Sequence, residues 1–124
     1  MTVASSQTNL PDGRVSKWKW SGLSATSGST VGDWVGFSDF ADKTVLTTGT
    51  FGVGGTLTWQ GSINGNTSAA VVFSLHDPGG TALASTVAVA HTVLEAIEYI
   101  RPAVTAGSST ISIDAYLFGR KNPI

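Results

Sequence analysis

The sequence predicts an all-β chain, a β-sandwich most simply of jelly-roll type with seven to eight short strands, and three observations carry that reading. Lys43 to Thr50, Thr56 to Gln60 and Thr110 to Phe118 alternate at a period of two, the spacing of strands rather than helices. The apolar runs are short and bounded by Gly, Pro, Asn and Asp clusters. The 15 glycines, with abundant Thr, Ser and Val, fit many turns between short strands.

Taken in order, Met1 to Gly13 is polar and ends in the turn signature Pro11-Asp12-Gly13, so it is expected to be a flexible arm ahead of one domain spanning 14–120, with 121–124 as a tail. From Val15 a strand is expected with Trp18 and Trp20 on one face and Lys17 and Lys19 on the other. Ser21 to Gly32 is a Gly/Ser/Thr loop, and Asp33 to Phe40, broken by Gly36, is either an edge strand or an ordered loop with buried aromatics.

Lys43 to Gly65 then predicts a β-hairpin, its strands Lys43–Thr50 and Thr56–Gln60 joined by Gly52, Gly54 and Gly55, followed by an Asn64-Gly65 turn. Leu57 and Trp59 face inward on the second of these strands. Ala69 to Leu75 is expected as a strand with Val71, Phe73 and Leu75 on one face, closed by Asp77-Pro78-Gly79-Gly80. Thr81 to Ala90 continues with Leu83, Val87 and Val89 inward. His91 to Ile100 fits either period; Pro102 favours extension over Tyr99 to Val104, after one helical turn around Glu95. In the last strand Ile111, Ile113, Ala115 and Leu117 face inward, and Ser112, Asp114, Tyr116 and Phe118 the other way.

The 124 residues suffice for one domain that buries a core, and without cysteine neither disulfides nor thiolate metal sites are available to it. Only 12% of residues are charged and the formal net charge is −1, too little for an electrostatic grip on nucleic acid or acidic lipid. So low a charge density also points to a surface meant to be covered by partners. No run approaches the ~20 apolar residues of a membrane span, and the N-terminus lacks the pattern of a signal peptide, so synthesis in a cytoplasm is expected.

No residue pattern supplies a catalytic, cofactor-binding or metal site. GTFGVGG lacks the Gly-Lys-Ser/Thr ending of a phosphate loop and lies between strands. His76 and His91 have no companion at ligand spacing, and Glu95 and Glu98 are expected to be solvated charges. The candidates are contact residues instead. Tyr116 and Phe118 put large rings on the outward face of the last strand. Trp34, in a glycine-containing loop, either packs or stacks on a ligand such as a sugar ring, whereas Trp59 is expected in the core with its N–H donated to a carbonyl. Arg101 either takes a carboxylate on another subunit or pairs with Asp114 or Glu98 within the domain.

In succession, DKTVLTTGTFGVGGTLTWQGSINGN (Asp42 to Asn66), LHDPGGTAL (Leu75 to Leu83) and EYIRPAVTAGSSTISIDAYLFGR (Glu98 to Arg120) resemble the small cement, or head-decoration, proteins of tailed bacteriophages. The chain departs from that pattern after Asn64-Gly65, where a tryptophan often follows, and in its longer N-terminal arm. The resemblance implies a jelly-roll-like virion protein, made in the host cytoplasm, that binds the outer surface of the phage head and clamps neighbouring major capsid subunits. It implies a homo-oligomer, a dimer or else a trimer, and no enzymatic activity or cofactor. The competing expectation from the residues is a glycan-binding β-sandwich of a phage tail or fibre, reading polysaccharide through Trp34.

Overall fold

A computed structural model of the chain describes residues 3–9, 15–26, 28–36, 40–64, 71–95, 97–107 and 110–121. Ten strands are present among them: β1 Ser5–Asn9, β2 Val15–Leu23, β3 Val35–Gly36, β4 Phe40–Thr50, β5 Thr56–Ser62, β6 Phe73–Ser74, β7 Ala84–Ser85, β8 Val89–Thr92, β9 Tyr99–Ala106 and β10 Ser112–Lys121. They form two antiparallel sheets, β1-β2-β10-β4-β8 and β3-β9-β5-β6, with β7 also paired to β5. If β6 and β7 count as one interrupted strand and β1 as an addition to the edge, the two orders are first-eighth-third-sixth and second-seventh-fourth-fifth. That is jelly-roll topology, in which almost every connection passes from one sheet to the other. Among the described residues there is no helix, so none is long and apolar enough to cross a membrane.

The expected alternation sets the core. On β2, Trp18 and Trp20 point inward and Lys17 and Lys19 outward; on β10, Ile113, Ala115 and Leu117 are completely buried. Trp20 from one sheet meets Trp59 from the other edge-on, with ring centroids 5.8 Å apart and planes at 69°, the geometry favoured by aromatic quadrupoles. Leu23, Leu57, Leu75, Leu83, Ile100 and Val45 fill the space around them.

The most instructive correction concerns Lys43 to Gly65. Its two strands alternate as expected, but they are not a hairpin: β4 pairs with β10 and β8, β5 with β9, β6 and β7. Residues 51–55 are an arch that carries the chain between sheets. A period of two fixes which side chains face the core, not which strand lies alongside. Gly52 and Gly54 have the positive φ expected of them (60° and 72°), whereas Gly55 does not; a side chain there would overlap the Phe51 carbonyl.

Other differences are local. Among the described residues the strand count is ten rather than seven to eight because one edge strand is interrupted, as β6 and β7, and β1 is added at the edge of the other sheet. Within the segment expected as an arm, Ser5–Asn9 pairs along β2, since the outer edge of β2 offers unpaired backbone groups. Among the described residues of the expected strand Ala69 to Leu75, the strand is confined to Phe73–Ser74; Leu75 is buried and its N–H donates to Trp59 C=O at 3.0 Å, whereas Val71 and Phe73 are exposed rather than inward. Val87 is 63% exposed instead of buried, because it lies in a bend before β8. Among the described residues around Glu95 there is no helical turn; Leu94 N–H instead donates to His76 C=O at 2.8 Å. The Pro11-Asp12-Gly13 turn, Gly65 of the Asn64-Gly65 turn, and residues 122–124 of the tail lie outside the described residues.

Candidate contact surfaces

The four candidate residues fall into two pairs on opposite outer faces. Tyr116 and Phe118 are two apart on β10, so the strand period aims both away from the core. Both are half-buried, and their rings stack with centroids 6.5 Å apart and planes at 18°. Across the strand pair, Lys19 lies opposite Tyr116 and Lys17 opposite Phe118. The Lys19 ammonium sits 5.3 Å from the Tyr116 ring centre and 4.0 Å from Asp114, which also accepts from Gly22 N–H at 3.1 Å. Arg120 pairs with Asp42 at the far end of the same face. The result is an aromatic ridge bordered by cations.

Trp34 and Arg101 meet on the other sheet. Arg101 projects outward from β9, and its guanidinium lies over the Trp34 ring at 4.3 Å from the centroid. Its Nε–H donates to Gln60 Oε1 at 2.9 Å; Gln60 is its direct neighbour on β5. Neither Asp114 nor Glu98 takes this guanidinium, because Asp114 lies on the opposite sheet and Gln60 is already at hand across the strand. Burial lowers the affinity of the Arg101 guanidinium for its proton, though an arginine remains charged at any physiological pH.

Trp59 is fully buried as expected, yet its Nε1–H has no hydrogen-bond partner among the described residues; Trp20 Nε1 donates to Asp33 C=O at 3.1 Å. Glu98 is exposed as expected, but Glu95 differs. His76 Nδ1 lies 2.6 Å from Glu95 Oε2, and Glu95 Oε1 accepts the His76 backbone N–H at 2.8 Å. Glu95 is therefore a clip between two loops rather than a solvated charge. Burial alone would raise its carboxyl, but the hydrogen bonds from His76 outweigh that and hold it below the usual carboxylate range. Lys43, on a core-facing position of β4, is buried; desolvation lowers its ammonium, against the opposing pull of Asp42 and Glu95. Sequence spacing had no means to find this cluster, since its members are 19 or more residues apart.

Ile63, Asn64, Val71 and Phe73 line an open, largely apolar groove of about 350 Å³ beside β6. Among the described residues no group of three His, Asp or Glu is placed to hold a metal ion.

No known protein family matches the chain. No curated protein matches it either. Among solved structures it is similar to the K1 cleaved adhesin domain of Lys-gingipain (Kgp) from Porphyromonas gingivalis W83, at 10% identity over 98% of this chain and 85% of that one, with a TM-score of 0.43. So loose a likeness carries no inference about function.

Proposed function

We propose that the chain is a virion structural protein of a tailed phage, a decoration or cement protein that binds the outer surface of the head and braces neighbouring major capsid subunits. The observation that carries this reading is the placement of two aromatic and cationic clusters on opposite outer faces of one sandwich. A rigid body with a contact patch on each side touches two larger neighbours at once, and joining two modest contacts raises avidity without any single tight site. The succession of motifs from Asp42 to Arg120 supports the same reading, as does a surface with few charges to desolvate. Such a role needs no catalytic group or cofactor. The repetition of a small gain over many identical sites is what would stabilise a shell against internal pressure.

The test is stoichiometric. The protein should co-purify with heads, and particles lacking it should fail at a lower temperature or a milder osmotic shock. Phe118→Ser should fold and lose decoration; equal decoration by the variant would remove that ring from the interface. If the protein is instead found on tails and is displaced by soluble polysaccharide, the glycan-binding reading takes its place. The covering of one Trp34 face by Arg101 already leaves less ring for a sugar.

A further inference from the structure

The charges of this chain are unevenly placed. Four stretches, 20–32, 44–76, 78–94 and 102–113, contain no Asp, Glu, Lys or Arg at all. Strand pairing brings part of each to one end of the sandwich. There Leu23 lies opposite Ile113, Thr50 opposite Ser112 and Thr47 opposite Val89 in the first sheet, with Thr56 opposite Ala106 and Leu57 opposite Ser85 in the second. The connections 24–30, 51–55, 86–88 and 107–111 continue beyond these pairs, so they lie together, and none holds a charged residue. The opposite end, where β4 begins, β10 finishes and the chain passes from β8 to β9, carries Asp42, Lys43, Glu95, Glu98 and Arg120.

At average usage, about 20 loop residues would hold about five charges, so a charge-free set of four loops is a property of the surface and not of one turn. What the end presents instead is small and apolar. Val53, at the crest of the arch, is 87% exposed, and Val87, in the bend before β8, is 63% exposed. Beside them runs a shallow groove of about 230 Å³ lined by Ala25, Thr30, Val104, Thr105, Ala106 and Gly107. The loops are tied down by their own hydrogen bonds. Ser24 N–H donates to Ser29 C=O and Ser29 N–H to Thr26 C=O, both at 2.9 Å. The Thr56 hydroxyl donates to Gly54 C=O and the Thr47 hydroxyl to Val89 C=O, each at 3.4 Å. A surface held in this way has little order left to gain on contact.

We propose that this uncharged end is the foot of the protein, seating Val53 and Val87 in a neutral, apolar crevice between neighbouring capsid subunits. The inference rests on the decoration reading and gives it a direction: the strands point into the shell, and the charged end stays in solvent. Standing in a crevice, the sandwich turns its Tyr116 face to one wall and its Arg101 face to the other. The chemistry of the end selects the occupant. It offers no cation for a phosphate, no carboxylate for a metal and no Asn or Gln for a sugar; Phe51, the aromatic residue of these loops, is buried. Glycine, serine and alanine let another backbone approach closely, while two exposed valines gain by leaving water. With no charge to desolvate, the end loses little when a neutral protein surface covers it.

The experiment measures binding of the full chain to heads assembled without it, comparing the parent with Val53→Glu, Val87→Glu and Ile63→Glu. Ile63, 70% exposed beyond the end of β5, places a control charge at the opposite end. All three side chains face solvent, so the variants should keep the parent's thermal midpoint; if one of the two foot variants does not fold, the other decides. Val53→Glu and Val87→Glu should each bind roughly tenfold more weakly or worse, because a carboxylate must then be buried without a partner. Ile63→Glu should bind within about twofold of the parent. If the parent binds heads and the foot variants bind as well, or Ile63→Glu is the variant that fails, the foot is overturned and decoration stands. A parent that binds no heads overturns both. Sedimentation velocity at about 100 μM covers the remaining occupant. Val53→Glu should sediment like the parent, and a parent dimer that Val53→Glu dissolves would assign this end to a second copy and overturn the proposal.

Discussion

Trp20 and Trp59 are equally buried, but among the described residues only Trp20 finds a partner for its N–H. Replacing either by Phe removes a ring and leaves similar empty space, so the difference between the two variants isolates the hydrogen bond. Trp20→Phe strips the Asp33 carbonyl of its donor, whereas Trp59→Phe removes a polar group with no partner among the described residues. Denaturant unfolding should therefore find Trp20→Phe the more damaging by roughly 1–3 kcal/mol; equal losses would mean that Trp59 finds a partner after all. Glu95 supplies a second test. Because its carboxyl is held below the ordinary range in the folded state, the stabilisation it gives is present above the carboxylate pKa of the unfolded chain and disappears as pH falls through the folded value. Glu95→Gln should cost about 1 kcal/mol near neutral pH and nothing in strong acid, read as converging thermal midpoints. The burial of Trp18, Trp20 and Trp59 was legible from alternation alone, as was the outward aim of Tyr116 and Phe118. The Glu95 clip and the partners of Arg101 were not, since they depend on which distant strands and loops become neighbours.

At the scale of the element, the arch between β4 and β5 does the most to set the topology. Its glycines act for different reasons. Gly54 adopts φ +72° with open space around its Cα, while Gly55 has ordinary φ but faces the Phe51 carbonyl and the Ile111 side chain. Gly54→Ala should cost about 1–2 kcal/mol, the strain of a left-handed alanine. Gly55→Ala should cost more, because the backbone itself must move, and a thermal melt that ranks the two the other way would contradict the arch geometry. The same segment marks where sequence reading stops. Glycines between two alternating runs announce a reversal, yet a reversal within a sheet and an arch between sheets use the same residues. The choice is made by the rest of the chain: β10 occupies the position beside β4 that a hairpin partner would take. The edge strands were similarly hard to read, since β6 and β7 are two residues each and too short to express a period.

For the whole molecule, the low charge and the aromatic, cation-edged patches on the two outer faces belong to one description: a small sandwich with little charge to desolvate on either side. Its class and core were legible because patterning and turn chemistry agree along most of the chain. Its surfaces were legible only in part, because the separation of Trp34 and Arg101 from Tyr116 and Phe118 follows from strand order, which no local pattern encodes. Salt should weaken decoration only modestly if aromatic contact carries more of it than Lys17, Lys19 and Arg101 do; a steep salt dependence in a head-binding assay would assign the contact to charge. The central claim, that this protein braces a capsid from outside, is tested most directly by an electron cryomicroscopy reconstruction of the parent particle. The account predicts jelly-roll density on the outer surface of the head, in contact with neighbouring capsid subunits through two opposite faces; heads that lack the density, or density found on the tail instead, would contradict it.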